Sequence, residues 1–230
     1  MILGIDTTAK TCSVALISQT LLGVRTINDG PTHSQTLLPF IKEVLEDTGV
    51  LPEELDAIAV SAGPGSFTGL RIGISAVKGL AFPFMIPCAA VSTLEALAMN
   101  VRDLEGEIVC PVMDARRGEF YNALFRIENG VPLRITEDRA IEGAALKSEL
   151  MNYEGVVILG DGAEKFASMF SEFEEKLAPE KIRLQNGESV ARVGKRLLKE
   201  NKLISCHKLS PSYLRLPQAE REWLAKNSKD

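Results

Sequence analysis

Histidine is nearly missing from this 230-residue chain: only His33 and His207 occur, in different halves. No His-x-x-x-His pair can be drawn from them, which excludes a histidine-anchored metal centre and with it a zinc protease. Cysteine is sparse too. Cys12, Cys88, Cys110 and Cys206 are scattered without a Cys-x-x-Cys pair, the usage of reduced core thiols rather than of a disulfide frame. Positive charge is short, with 26 Lys and Arg against 31 Asp and Glu and a net charge of −5. Binding nucleic acid unaided needs clustered cations that release phosphate counterions, so any RNA role calls for a partner. Long apolar runs are absent. The most apolar stretch, 79–91, is broken by Pro83 and Pro87 and falls short of the roughly 20 residues that span a bilayer. The N-terminus opens on strand-like Ile2-Leu3-Gly4-Ile5 without the basic start of a signal peptide. These absences predict a cytoplasmic protein without membrane contact, and 45 % hydrophobic residues supply the core of one domain or two small ones.

What is present is concentrated between Asp56 and Gly73. Small apolar and β-branched residues at 57–62, too few for a helix, predict a buried strand, and Gly63-Pro64-Gly65 predicts the tight turn that ends it. Ser66 or Thr68 then caps a helix in which Leu70, Ile74, Val77 and Ala81 share one face. Gly69, Gly73 and Ala76 make a second face so small that another element can approach backbone to backbone. That element is either the protein's own sheet or a partner, and the sequence leaves both open. Strand, glycine turn and helix start resemble an anion cradle. Yet no lysine opens the helix as in a Walker loop, and the sixth position from Gly63 is Thr68 rather than the glycine of a dinucleotide fingerprint.

Residues 2–5, 12–17 and 21–27 predict an antiparallel meander, and Asp29-Gly30-Pro31-Thr32 a turn. A helix beginning near His33-Ser34 carries Leu37, Leu38, Ile41, Val44 and Leu45 on one face and ends near Gly49. A strand at 86–91 and a helix capped by Ser92 complete a βββαβαβα order. The opening then recurs. Ala15-Leu16 stand nine and ten positions after Asp6, and Ala123-Leu124 stand at the same offsets from Asp114. Gly160-Asp161-Gly162, after an apolar run at 156–159, likewise echoes the first glycine turn. A repeat this long implies two homologous domains rather than a solenoid, here 1–104 and 105–217, with 218–230 a polar tail. Two such units, each a mixed sheet with antiparallel hairpin strands and flanking helices, resemble tandem actin-like/sugar-kinase-like (ASKHA) ATPase domains of the α/β class. In that fold the turns handle phosphate and one aspartate holds magnesium. The resemblance puts Asp6, Thr7, Thr8, Gly63, Gly65 and Ser66 from one half, and Asp114, Arg116 and Arg117 from the other, at a candidate nucleotide site. Turn chemistry alone also accounts for an aspartate at either place, and solvation alone for the two arginines.

Five strings together resemble one family closely: Gly63-Pro64-Gly65-Ser66-Phe67-Thr68-Gly69-Leu70-Arg71-Ile72-Gly73, Lys78-Gly79-Leu80-Ala81, Ser92-Thr93-Leu94-Glu95-Ala96-Leu97-Ala98, Asp114-Ala115-Arg116-Arg117-Gly118-Glu119 and Gly160-Asp161-Gly162. They are similar to TsaB, also called YeaZ, from Ile2 to about Arg215. The resemblance implies a noncatalytic subunit of the bacterial machinery that makes threonylcarbamoyladenosine next to the tRNA anticodon. It implies pairing with the metal-dependent paralogue TsaD, a third subunit in the ATPase TsaE, a homodimer when the partner is absent, and contact with tRNA only through the complex. No catalytic residue, metal or cofactor of its own is implied, and ATP or ADP belongs at the interface of the complex. The partner or dimer interface falls on His33, Leu37, Ile41, Thr68, Gly69, Arg71, Ile72, Gly73 and Ala76. Arg71 there either binds an anion across the interface or pairs within its own domain. The competing reading, a self-sufficient Mg-dependent ATPase or small-molecule kinase using Asp6 and Asp114, follows from the fold alone.

Overall fold

A computed structural model describes residues 1–28 and 32–215. The polar tail and most of the turn expected at 29–32 lie outside the described residues. The first sheet comprises β1 (Ile2–Asp6), β2 (Cys12–Ile17), β3 (Leu21–Ile27), β4 (Ala57–Gly63) and β5 (Cys88–Ser92) in the order β3-β2-β1-β4-β5. The meander β1-β2-β3 is antiparallel, whereas β4 runs parallel to β1 and β5 parallel to β4. Parallel neighbours need crossovers, supplied by α1 (His33–Thr48) and α2 (Phe67–Ala81). Both put their apolar stripes, Leu37, Ile41 and Val44 from α1 and Ile74, Val77 and Ala81 from α2, on one face of the sheet. Strands β1, β2 and β4 are buried throughout, as a sheet covered on both faces requires.

After α3 (Thr93–Met99) comes a second sheet of β6 (Ile108–Asp114), β7 (Glu119–Asn122), β8 (Phe125–Glu128), β9 (Val131–Arg134), β10 (Arg139–Glu142) and β11 (Val156–Leu159). Where the recurring hairpin implies one strand through Ala123-Leu124, as β2 runs through Ala15-Leu16, there are two, β7 and β8, interrupted at that pair. Their neighbour β6 has Pro111 opposite the break, and proline has no N–H to continue the ladder. Asn122 fills the gap, its buried Nδ2 donating to the carbonyls of Pro111 and Ala123 at 3.1 Å each. Helices α4 (Gly143–Leu150) and α5 (Ala163–Met169) cover the outer face with Leu146, Leu150 and Phe166.

Between the two sheets lie α3 and α7 (Gly187–Lys199), which follows the one-turn α6 (Glu180–Arg183). Helix α3 turns Leu94 and Leu97 to the second sheet. Helix α7, expected to belong to the second unit, instead closes the first sheet: Val190, Ala191 and Val193 pack on Ile2, Ala57, Ala59 and Ala89. The backbones touch there, since a Cβ on Gly4 would lie 2.2 Å from the Gly187 carbonyl oxygen. The layers therefore run α1 and α2, first sheet, α3 and α7, second sheet, α4 and α5. No helix among the described residues is long and apolar enough to cross a membrane.

Candidate functional site

Parallel strands leave their carboxyl ends open for binding, and the ends of β1 and β4 share a cleft with those of β6 and β11. It measures about 590 Å³, and its lining includes Thr8, Gly65, Thr68, Asp114, Asp161 and Tyr213. Asp6 ends β1 beneath it and is fully buried. Its Oδ1 accepts from the Thr8 amide and hydroxyl at 2.8 Å each, and its Oδ2 from the Ser61 hydroxyl at 2.5 Å. Burial pushes the carboxyl above the usual aspartate range, and these bonds oppose the shift. Asp114 ends β6 in the matching place. Both its oxygens accept from Lys165 of α5, at 2.8 and 2.9 Å, and Oδ1 also takes the Arg116 amide at 2.8 Å. Asp161, after β11, is exposed on the cleft wall although protein surrounds its carboxyl on the other sides. Burial raises its pKa foremost, a bond from Gln185 Nε2 at 2.9 Å opposes this, and the charges of Asp114 and Asp6 raise it further.

Asp114 and Asp161 thus line the cleft with Asp6 beneath; both oxygens of Asp6 and of Asp114 are engaged, and Oδ1 of Asp161 accepts from Gln185. Among the described residues, no group of three or more His, Cys, Asp or Glu side chains has the arrangement to hold a metal ion, and the sealed Asp6 offers no oxygen to one. Of the two aspartates to which the fold resemblance points for magnesium, Asp6 turns its oxygens to Thr8 and Ser61, and Asp114 turns both of its own to Lys165.

Burial foremost, with the like charges of Asp114 and Asp6 beside it, makes Asp161 a liability at neutral pH. A raised carboxyl contributes most below its ordinary value of 3.8 and loses that contribution as pH rises through the folded-state value. Asp161→Asn keeps an oxygen for Gln185 and removes the charge. Thermal melts should show a higher Tm than wild type at neutral pH and a gap that closes as pH falls toward 3.8; an unchanged or lower Tm at neutral pH refutes a charge held there at a cost.

A strap at 211–215 crosses the cleft mouth. The Ser212 amide donates to the Ala62 carbonyl at 2.7 Å. Gly63, with φ at 136°, makes room, because a Cβ there would stand 2.2 Å from the Ser212 carbonyl oxygen. The Tyr213 ring stacks on Phe67 at 4.9 Å between centroids, and its hydroxyl accepts from Arg71 Nε at 3.0 Å. Arg215 donates to the Ala115 carbonyl at 3.2 Å and pairs with Glu119. One end of the strap is thus tied to α2 and the other to the second hairpin turn.

The family model described as TsaD, tRNA N6-adenosine threonylcarbamoyltransferase, matches residues 25–223. A protein of Bacillus subtilis named tRNA threonylcarbamoyladenosine biosynthesis protein TsaB is 32 % identical over 97 % of each chain. This chain belongs to the TsaB family. The solved structure of YeaZ from Pseudomonas aeruginosa, 26 % identical, matches with a TM-score of 0.74 over 93 % of this chain and 99 % of that one. A tRNA N6-adenosine threonylcarbamoyltransferase of Nitratidesulfovibrio vulgaris is 35 % identical over 49 % of this chain and 31 % of its own length.

On this TsaB scaffold the residues expected at an interface are divided between the chain's own core and its surface. Leu37 and Ile41 are buried in the first core, because they continue the stripe of Val44 and Leu45. Gly69 and Gly73 are buried as well: a Cβ on either would meet Thr7, at 2.0 Å from its carbonyl oxygen for Gly69 and 2.6 Å from its hydroxyl for Gly73. The element that approaches the small face is the chain's own first hairpin turn. Thr68 and Arg71 are exposed and Ile72 and Ala76 half-buried. His33 is half-buried, its Nε2 lying 2.7 Å from the Ala9 carbonyl.

Of the residues expected at a nucleotide site, Thr8, Gly65, Ser66, Asp114 and Arg116 do line the TsaB cleft, whereas Arg117 is not in the lining. Thr7 turns away, its hydroxyl donating to the Gly69 carbonyl at 2.8 Å. Sequence reasoning missed Lys165, Gln185 and the strap. A lysine one turn into the helix after Gly160-Asp161-Gly162 was the visible signal for the first; the contacts of Gln185 and Tyr213 span too much sequence to leave one.

Proposed function

We propose that this chain is a noncatalytic docking subunit for a TsaD-type threonylcarbamoyltransferase in tRNA threonylcarbamoyladenosine biosynthesis. A TsaE-type ATPase completes the assembly, tRNA is reached only through it, and ATP or ADP sits at its interface. Self-association through the same face is the fallback when no partner is present. The observation that carries this reading is the contrast between the two sides of α2. On the cleft side Asp6 is sealed beneath Thr8 and Ser61, and Asp114 is paired with Lys165. On the outer side Thr68, Arg71 and Ser75 are exposed.

The body is two related actin-like/sugar-kinase-like copies. In support, β6 has an antiparallel neighbour in β7 and β8 and a parallel one in β11, as β1 has in β2 and β4, and an aspartate ends both central strands.

Reconstitution of tRNA modification from purified components tests the reading. Omitting this chain should drop product to background and adding it back should restore it, while the isolated chain should make none. Full activity without it sinks the docking role. Steady turnover of Mg-ATP by the isolated chain would favour the self-sufficient ATPase instead.

A further inference from the structure

The outer side of α2 holds a shallow groove of about 420 Å³ lined by Phe67, Thr68, Arg71, Ile72 and Ser75. Phe67 and Thr68 also line the cleft, so groove and cleft share a wall, and Arg71 stands on it. Its guanidinium carbon lies 3.9 Å from the centre of the Phe67 ring, and its Nε is taken by the Tyr213 hydroxyl. Among the described residues no carboxylate pairs with Arg71, and its two terminal nitrogens have no partner.

We infer that the strap is part of the docking surface: Tyr213 holds the Arg71 guanidinium ready to take, through its terminal nitrogens, a carboxylate of a partner chain. The inference rests on the docking reading above. A free arginine loses rotamer freedom when it is captured, whereas one already fixed between a ring and a hydroxyl has lost it beforehand. A planar fork also suits a carboxylate better than any other side chain. Charge complementarity favours a different chain over a second copy meeting it through the same two helices. Helix α2 contains no acid, and the acids of α1 are taken, Glu43 and Asp47 by Arg25 and Glu46 by Lys42.

Linkage makes the effect reciprocal: whatever Tyr213 gives to docking, docking gives back to the strap. Two measurements on the full chain with its TsaD-type partner read the two directions. In calorimetry, Tyr213→Phe keeps the ring and removes the hydroxyl, and should weaken binding about fivefold. Arg71→Gln should weaken it about tenfold or more, and Tyr213→Phe should add little in that background. In hydrogen exchange, the Ser212 amide should exchange about fivefold more slowly in the complex than in the free chain.

Wild-type binding by Tyr213→Phe, an undiminished loss in the Arg71→Gln background, or unchanged or faster Ser212 exchange in a formed complex overturns the inference and leaves docking standing. Absence of any wild-type binding overturns both. Self-association that responds to Arg71→Gln in the same way puts a second copy in the groove and overturns the choice of partner.

Discussion

Gly69→Ala is expected to cost the fold about 3 kcal/mol or more, a fall in Tm of roughly 6–12 °C for a chain of this size. The added methyl group would sit 2.0 Å from the Thr7 carbonyl oxygen and 3.2 Å from its carbon. These are backbone atoms of a turn that has no slack: the Ser66 amide donates to Thr8 O at 2.7 Å, and the Thr7 hydroxyl donates to Gly69 O at 2.8 Å. Either α2 lifts off the first sheet or the turn opens and loses both bonds. Gly79, in the same helix with nothing within 4 Å of its Cβ position, is the control. There alanine should be neutral or stabilise by up to about 1 kcal/mol, since only helix propensity changes. Melting curves of the two variants decide the matter. A Gly69→Ala chain that melts with wild type yet no longer binds its partner would return the glycine face to the interface, against the packing described above.

How much of this was legible beforehand follows from the range of the interactions involved. Helices α1 and α2 were readable because their apolar stripes and flanking signals are local. Ser66 and Ser92 do accept the Gly69 and Glu95 amides as caps. The meander and the pairing of Asp6 with Asp114 were readable because hairpins recur at fixed offsets. The partner of the Gly69 and Gly73 face was not, because small residues say that something comes close and not what it is. For Leu37 and Ile41 the pattern itself held the answer, and the family resemblance displaced it: residues in register with Val44 and Leu45 belong to the same buried stripe. The break between β7 and β8 depends on Pro111 lying opposite, ten or more residues away in sequence, and the seat of α7 on the first sheet is a choice between two apolar surfaces that an amphipathic pattern cannot make. In the cleft, the aspartates were found from their turns, while the hydrogen bonds of Ser61 and Thr8 to Asp6 and the pairing of Lys165 with Asp114 arise only on folding.

Asp6→Ala separates a structural aspartate from a working one. Removing the carboxylate strands three buried donors, the Ser61 hydroxyl and the Thr8 amide and hydroxyl. Each orphan costs about 1–3 kcal/mol, and losing a burdened carboxyl offsets part of the sum, so a net destabilisation of about 3 kcal/mol is expected. The pH dependence carries the sign. Burial holds the Asp6 carboxyl above its ordinary value of 3.8, so its contribution is complete below that value and shrinks as pH rises through the folded-state value, while alanine has no such slope. Denaturant melts should therefore show the gap between wild type and Asp6→Ala widest in acid and narrower at neutral pH. Asp6→Asn should recover most of the loss, because its oxygen can accept from Thr8 and its amide can donate to Ser61 without a buried charge. An aspartate kept for metal or phosphate chemistry behaves in the opposite way, since such residues are commonly held at a cost to stability. An Asp6→Ala chain as stable as wild type, and unable to support tRNA modification, would make Asp6 a reactive group and the cleft an active site.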